Sequence, residues 1–401
     1  MTLVVGVDIG KAFHWAAVVV AETGQEVVSR RVDNDPGAIA GFLGELAQAA
    51  GEHGAATVGI DVLGGIAGLV TAMLLDAGHR LVHVPGLTVN RSRHGTRGGE
   101  HKSDPRDARV IAGQLRLRDD WRPVNGDDDL VLDLRLLVSR RTDLVTEQTR
   151  RINRIRDMLT GIFPGLERTL DLTNLGDLHL LARYATPTEV RRAGHTRMTA
   201  HLRRNGVRSD RADRLVTGAL DAAGRQHVVV PGEARTAQFV RELVADALTT
   251  RTRLSALDAD IAAVLDRHPD AALVLSLPGM GATLTAEFLA EAGDLTRFPS
   301  ADALAAASGL APVQQQSGKM HYLRRATGGA KNLKRVFYRS AFCAVQVDPA
   351  SKAFYSRKRA EGKRHQQALI ALARRRVSVL HAILRTRQPY QADHATASAA
   401  A

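Results

Sequence analysis

The sequence has a single cysteine, Cys343, in 401 residues. One cysteine excludes an internal disulfide and a cysteine-rich zinc site. The chain has no apolar run of about 18 residues, which excludes a membrane-spanning helix. Met1 leads directly into a strand-like run that contains Asp8, so we expect no signal peptide and a cytoplasmic protein.

Acidic residues are scarce near the carboxyl end. The segment from Lys319 to Arg385 contains 17 lysines and arginines but only two acids, Asp348 and Glu361, so its net charge is +15 in a chain of +13. Such a basic block is typical of a surface that binds a phosphate backbone. A solvated, solubilising face is the alternative. The length of the chain predicts two or three domains, and no internal repeat is evident.

The first 117 residues alternate strand-like and helix-like patterns. Apolar runs predict strands over 2–8, 16–21, 26–32, 56–62 and 80–84, and amphipathic runs predict helices over 36–50, 66–77 and 104–117. The order β-β-β-α-β-α-β-α predicts an RNase H-like (RuvC-like) domain.

Four aspartates stand at corresponding points of this pattern. Asp8 and Asp61 lie in apolar strands, where a carboxylate is costly unless it is paired or metal-bound. Asp104 and Asp107, three residues apart, share one face of the last helix. In this order the four acids predict a two-metal site that acts on a phosphodiester. The alternatives are local backbone hydrogen bonds for the strand acids and a favourable helix dipole for the helical pair.

A basic, glycine-rich segment precedes the helix that carries Asp104. We predict a loop from Asn90 to Lys102 that guides a nucleic-acid backbone to the acids. Its candidate nucleic-acid-binding residues are Arg91, Arg93, Arg97 and Lys102.

The middle of the chain is helical by pattern. Apolar heptad positions predict long helices from about Asp128 to Phe163 and across 240–264, which together form an antiparallel coiled coil within the chain or between protomers. Further on, Gly279 and Gly281 precede a helix over 283–292 and are candidates for phosphate binding at its N-terminus. A tight turn between two helices is the alternative.

Ser317 stands in a polar stretch, predicted to be a loop, where the basic block begins. A serine hydroxyl can attack phosphorus when nearby cations stabilise the phosphoryl oxygens. The candidate cations are Lys319, Arg324, Arg325, Lys331 and Arg335. From the residues alone, a serine followed by glycine is ordinary.

Five motifs in order carry a family resemblance. They are Gly-Val-Asp-Ile-Gly-Lys at 6–11, Lys-Ser-Asp-Pro-Arg-Asp-Ala at 102–108, Leu-Pro-Gly-Met-Gly at 277–281, Ser-Gly-Leu-Ala-Pro…Gln-Ser-Gly at 308–318 and Arg-Arg-Ala-Thr-Gly-Gly-Ala-Lys at 324–331. From Val4 to about Arg385, the chain resembles the insertion-sequence "one-ten" family of DEDD transposases, which are bridge-RNA-guided serine recombinases.

The resemblance implies an architecture and a set of site residues. It implies an α/β RuvC-like DEDD domain at 1–125, a helical coiled-coil region at 126–268 and a mostly helical C-terminal transposase domain at 269–388. Independently of the resemblance, the Ala/Ser/Thr-rich composition after Pro389 predicts a disordered tail at 389–401. The family's acids match Asp8, Asp61, Asp104 and Asp107, and its nucleophile matches Ser317. The family usually has glutamate where this chain has Asp61, whose side chain is shorter by about 1.5 Å.

The implied reaction is DNA strand exchange. The acids would hold Mg²⁺, and the serine of one protomer would act with the acids of another. The implied partners are donor and target double-stranded DNA, a non-coding guide RNA and three further copies of the chain in a dimer of dimers, associated with the bacterial nucleoid. Two alternatives are a metal-dependent RuvC-like endonuclease without serine chemistry and a non-catalytic nucleic-acid-binding scaffold.

Overall fold

The structure is a computed structural model that describes residues 2–95, 101–124, 129–293, 295–317, 320–324 and 326–392. The chain divides into two compact units, residues 1–128 and residues 129–401. None of the described helices combines the length and the apolar composition that a membrane span requires.

The first unit is built on a mixed sheet. Its elements are β1 (Leu3–Asp8), β2 (Phe13–Val20), β3 (Glu26–Asp33), α1 (Pro36–His53), β4 (Ala56–Ile60), α2 (Gly68–Asp76), β5 (Arg80–His83), α3 (Gly86–His94), α4 (Asp104–Leu117) and β6 (Arg122–Pro123). Within the described residues the strand order is β3-β2-β1-β4-β5-β6. Strand β1 pairs antiparallel with β2 and parallel with β4, and β4 pairs parallel with β5. This topology confirms the predicted RNase H-like (RuvC-like) fold.

Two glycines let α4 lie directly on the sheet. Gly6 of β1 and Gly59 of β4 are partners in the parallel register. A Cβ atom at Gly6 would lie 2.0 Å from the carbonyl oxygen of Ala108, and one at Gly59 would lie 2.9 Å from the side chain of Ile111. Ala108 and Ile111 are fully buried. The backbone of α4 therefore touches β1 only because Gly6 has no side chain.

The second unit is mostly helical. Its elements are α5 (Asp129–Ile162), α6 (Pro164–Thr169), α7 (Leu175–Leu181), α8 (Pro187–Arg204), α9 (Ser209–Gly224), α10 (Glu233–Arg267), α11 (Ala271–Ser276), α12 (Ala282–Ala292), α13 (Ala301–Ala307), β7 (Val313–Ser317), β8 (Met320–Arg324), α14 (Lys331–Val347), α15 (Pro349–Ala360) and α16 (His365–Thr386).

The two long helices α5 and α10 pack against each other in antiparallel directions. Arg141 pairs with Asp258 at 2.6 Å, while Arg151, further along α5, donates to the hydroxyl of Thr250, which comes earlier in α10. Both helices are confirmed: α5 agrees with its predicted bounds within one residue, whereas α10 begins seven residues earlier and ends three residues later than the predicted range 240–264. The coiled coil itself stays a prediction.

The helices of this unit enclose two clusters of buried apolar side chains. One is formed by residues between Ile155 and Ala247 and includes Phe163. The other is formed by Leu134 and by residues between Ile261 and Ile383, and it includes Phe288 and Phe337. The separate clusters support a division into a middle helical part and a carboxyl-terminal part, whose boundaries at 126, 268 and 388 remain proposals.

Gly279 is held against α14 by a close approach. Its φ is +79°, and a Cβ atom there would lie 2.7 Å from the carbonyl oxygen of Ser340. Arg376, buried on α16, donates to the hydroxyl of the same Ser340 and to the carbonyl of Pro278. A Cβ atom at Gly281, by contrast, would meet no atom within 4 Å. The geometry thus gives Gly279 a packing role in the turn and leaves Gly281 with open space.

Two segments predicted as loops have regular structure instead. The segment Gly86–His94 is helix α3, and the side chain of its residue Val89 is buried. The predicted loop from Asn90 is therefore wrong in its first part. The polar stretch that ends in Ser317 is strand β7, paired antiparallel with β8. Cross-strand hydrogen bonds order these polar residues, although their composition lacks the apolar pattern of a buried strand.

We predict that Gly6→Ala destabilises the first unit by about 3 kcal/mol, because the new methyl group would overlap a helix backbone that cannot rotate away. Denaturant unfolding followed by circular dichroism measures the change. Gly113→Ala is the matched control, because it lies on α4 with no atom within 4 Å of its added Cβ. This control should be as stable as the parent or more stable. An undiminished stability of Gly6→Ala would contradict the packing described.

We predict that Gly279→Ala lowers the free energy of unfolding by about 2 kcal/mol or more, since it combines a positive φ with a backbone clash. Gly281→Ala should cost less than about 1 kcal/mol, because its only defect is that alanine is a poorer N-cap than glycine. The same unfolding measurement compares the two. Equal losses would show that the close approach at Gly279 does not constrain the fold.

Candidate acidic active site

Asp8 and Asp61 lie at the carboxyl ends of neighbouring parallel strands. Asp8 is the last residue of β1, and Asp61 follows β4 directly. The backbone amide of Ile9 donates to Oδ1 of Asp61 at 3.3 Å. On the next strand, Nε2 of His83 lies 3.3 Å from the carbonyl oxygen of Asp61. These contacts hold Asp61 beside the end of β1.

The other two acids lie in the first turn of α4. Ser103 occupies the N-cap position without a side-chain cap bond, Asp104 begins the helix and Asp107 is buried one turn later. Because Gly6 meets Ala108 directly, this first turn lies over the end of β1. The structure thus brings together all four predicted acids.

Burial and the neighbouring carboxylates raise the proton affinity of Asp8 and Asp61. Burial raises the pKa of Asp8 to about 7, and the negative charges of Asp61, Asp107 and Asp104 add to the shift, while Lys102 opposes it. Burial also raises the pKa of Asp61; the amide of Ile9 opposes the shift and the charge of Asp107 adds to it. A site that raises carboxylate pKa values in this way attracts a cation.

Asp107 already has a cationic partner. Nη1 of Arg93 donates to both Oδ1 and Oδ2 of Asp107 at 2.8 Å, and Nη2 of Arg93 donates to Asn90 at 2.8 Å. Only 8% of Arg93 and 4% of Asp107 is exposed. Arg93 was predicted to bind nucleic acid, but its guanidinium is turned inward to an acid of the site.

The donor chemistry fits a hard divalent cation. Carboxylate oxygens are the ligands that Mg²⁺ prefers, and Asp8, Asp61 and Asp104 supply them at one edge of the sheet. Among the residues that the structure describes, however, no three acidic, histidine or cysteine side chains form a group that could hold a metal ion as they stand. The side chains would have to draw closer for an ion to bind.

The candidate nucleophile and its cations belong to the second unit. The backbone of Ser317 ends β7 and is paired with Met320 of β8. Arg324 and Lys331 are exposed, whereas Arg335 is half-buried, 3.4 Å from Glu287. In the first unit, Arg91 and Lys102 are exposed. Arg97, Lys319 and Arg325 lie outside the described residues, as does most of the predicted tail at 389–401.

Sequence reasoning missed two features of the site. His83 ends the strand beside β4, and its position at the carboxyl end of a predicted strand was a usable signal. The pairing of Arg93 with Asp107 had no signal in the sequence, because the two residues lie on separate helices and neither fits a motif that predicts a pair.

Comparison with known proteins gives two family matches. A family model for DEDD transposases of the IS110 type, described as a transposase, matches residues 5–164. A second, described as the transposase IS116/IS110/IS902 family, matches residues 271–356. The two matches cover the acid-bearing unit and much of the carboxyl-terminal part.

Similar proteins extend over the whole chain. An uncharacterized 42 kDa protein of the insertion element IS900 from Mycobacterium paratuberculosis is 41% identical over 397 residues, 98% of each chain. A 44.8 kDa protein of IS116 from Streptomyces clavuligerus is 41% identical over 387 residues, 96% of this chain and 95% of that protein.

Among solved structures, Thermus thermophilus RuvC in complex with a Holliday junction substrate matches 31% of this chain and 100% of its own, with 14% identity and a TM-score of 0.25. The matches to the family models and to these full-length relatives confirm the resemblance read from the five motifs, and the chain belongs to the IS116/IS110/IS902 family of transposases.

Proposed function

We propose that this transposase cuts and rejoins DNA strands to move an insertion sequence, using Ser317 as nucleophile and the four aspartates as an acidic site. The observation that carries the proposal is the convergence of Asp8, Asp61, Asp104 and Asp107 at one edge of an RNase H-like sheet. Four carboxylates crowded together are unfavourable for stability alone, as the raised pKa of Asp8 indicates. A reaction that needs concentrated negative charge would account for this arrangement.

The acids would hold and orient Mg²⁺, which supplies positive charge that stabilises the phosphoryl oxygens and the leaving oxygen. Asp8 and Asp61 are placed by the strand ends, and Asp104 is placed by the start of α4. Rigid elements keep the backbones of these three residues at a fixed edge of the sheet, so that only their side chains need to move when the ion binds. Asp61, shorter than the usual glutamate, is held to the backbone of Ile9.

The proposed covalent step uses Ser317. Its hydroxyl oxygen forms a bond to phosphorus while the bond from phosphorus to the 3′-oxygen breaks. The hydroxyl proton passes to a carboxylate or to water, and the departing 3′-oxygen gains a proton. A 3′-hydroxyl from the exchanged strand then attacks the phosphoserine, which restores the serine and the phosphodiester.

The basic block supports binding of a phosphate backbone. Around the half-buried ring of Phe354, the charged groups of Arg357, Lys358 and Arg375 all lie between 5.2 and 5.6 Å from the ring centroid. Cation–π contacts of this kind hold cations in fixed positions. This cluster on α15 and α16 is our candidate contact for donor and target DNA.

The finer parts of the proposal rest on the family resemblance. They are a guide RNA that pairs with both DNA partners, a tetramer built as a dimer of dimers, and cooperation of the serine of one protomer with the acids of another. A protein with a large basic block has the electrostatics to hold both RNA and DNA.

We predict that Asp8→Asn has opposite effects on activity and stability. Transposition between plasmids should fall by at least about 100-fold, because the substitution removes a charged group of the active site. In EDTA at pH 8, the free energy of unfolding should rise by about 1 kcal/mol, because a buried charge and its repulsions are removed.

The contribution of Asp8 to the free energy of unfolding depends on pH, and the direction of its pKa shift sets the sign. Folding raises the pKa of Asp8 from 3.8 to about 7, so the folded chain binds a proton that the unfolded chain has released across this window. The free energy of unfolding of the parent therefore falls as the pH rises from about 4 to 7, and Asp8→Asn should remove that part of the slope. Asp76→Asn, at the exposed end of α2, should change neither property. An Asp8→Asn variant that transposes normally would contradict the proposal.

We predict that Ser317→Ala abolishes covalent protein–DNA complexes and lowers transposition at least about 100-fold, since no other group can form the phosphoserine. Denaturing gels detect the trapped complex. Ser356→Ala, on the exposed side of α15, is the control and should trap DNA normally. Normal strand exchange by Ser317→Ala would favour the RuvC-like endonuclease without serine chemistry.

A further inference from the structure

The strongest unexplained feature of the molecule is the arginine inside the acidic site. Arg93 is the only residue for which the structure shows a hydrogen bond to each carboxylate oxygen of Asp107, among the residues described. Both side chains are almost completely buried, at 10% and 6% exposure. Asn90, one turn earlier on α3, holds the other terminal nitrogen of Arg93 in place.

A divalent ion and Arg93 would need the same atoms. The guanidinium nitrogen Nη1 is 2.8 Å from both Oδ1 and Oδ2. It therefore occupies the position that an ion bound to both oxygens would take. A guanidinium cannot lose its charge at ordinary pH. An ion can therefore bind both oxygens of Asp107 together only if Arg93 moves away from them.

The remaining acids have no such buried partner in the bonds described. Asp61 accepts from the amide of Ile9, and Lys102, which interacts with Asp8 electrostatically, is exposed. The site thus combines three carboxylates available to an ion with one that is held by a fixed cation.

We propose that Arg93 is a positioning residue that exchanges with a divalent ion for Asp107. While Arg93 holds Asp107, the acidic site binds the ion through its other carboxylates and with lower affinity. Release of Arg93 adds Asp107 to the ligands and removes one positive charge from the site. This inference rests on the proposed function only in that the acids bind a divalent ion.

The test is titration of the full chain with Mn²⁺ by calorimetry, without DNA, so that the readout does not depend on activity. Arg93→Met should tighten Mn²⁺ binding by at least about tenfold, because it frees a buried carboxylate and removes a competing cation. Arg93→Lys, which keeps the charge but not the forked geometry, should bind with intermediate affinity.

Arg109→Met is the matched control. Arg109 lies on α4 two residues beyond Asp107 and also makes a double hydrogen bond to a carboxylate, Glu26, but this pair is at the surface. Its loss removes the same charge and a similar pair from the same unit. Mn²⁺ affinity should change by less than about twofold, since exposed charges are screened.

Asp107→Asn completes a double-mutant cycle. With Arg93 present, Asp107→Asn should weaken Mn²⁺ binding, because it leaves the positive charge of Arg93 uncompensated beside the ion. In the Arg93→Met background, it should cancel the tenfold gain. If Arg93→Met does not fold, Arg93→Lys keeps the proposal testable, because a folded Arg93→Lys variant that binds Mn²⁺ no more tightly than the parent would overturn it.

Two further results would overturn the proposal. One is an Arg93→Met variant that is folded and binds Mn²⁺ no more tightly than the parent, as a purely structural ion pair would predict. The other is an absence of Mn²⁺ binding in every variant. Asp8→Asn in the same titration separates this failure from that of the proposed function: Asp8→Asn should lose binding, and if it binds as the parent does, the assignment of the acidic site itself fails.

Discussion

The contact between α4 and the sheet is the constraint on which the candidate active site depends. Gly6 and Gly59, side by side in register on β1 and β4, leave a flat surface against which Ala108 and Ile111 of α4 pack. Because α4 approaches β1 this closely, the first turn of α4 lies next to the end of β1. Asp104 and Asp107 therefore stand beside the strand ends that carry Asp8 and Asp61, although about a hundred residues separate Asp8 from Asp104 in the chain.

This proximity has an electrostatic consequence. Burial at this sheet edge disfavours the charged form of Asp8, and repulsion by the neighbouring carboxylates adds to the cost, so the pKa of Asp8 rises to about 7. The fold offsets part of the charge with Arg93, which lies inside the site and holds Asp107. A buried ion pair of this kind contributes little net stability, but loss of one partner leaves an uncompensated charge.

The second unit shows that a basic sequence block is not uniformly a surface. Arg376 belongs to a run of three arginines, yet it is buried, and burial lowers its pKa to about 10. Its guanidinium joins the turn at Pro278 to Ser340 on α14, next to the close approach of Gly279. Arg375, its neighbour, faces the ring of Phe354. Within this run, Arg376 supports the fold, while Arg375 belongs to the candidate nucleic-acid surface.

The local patterns of the sequence determined the RNase H-like topology, the two long helices and the positions of the four aspartates at element ends, because strand and helix periodicity follows from burial of one face. The motifs also identified the family. Helix α3, the β7–β8 hairpin and the inward turn of Arg93 were decided by tertiary structure. The sequences of these elements lack the regular spacing of apolar residues that predicts a helix or a strand. Their conformation depends on partners that are distant in the chain. The pairing of Arg93 with Asp107 exists only because α4 packs on Gly6 and brings the two helices together.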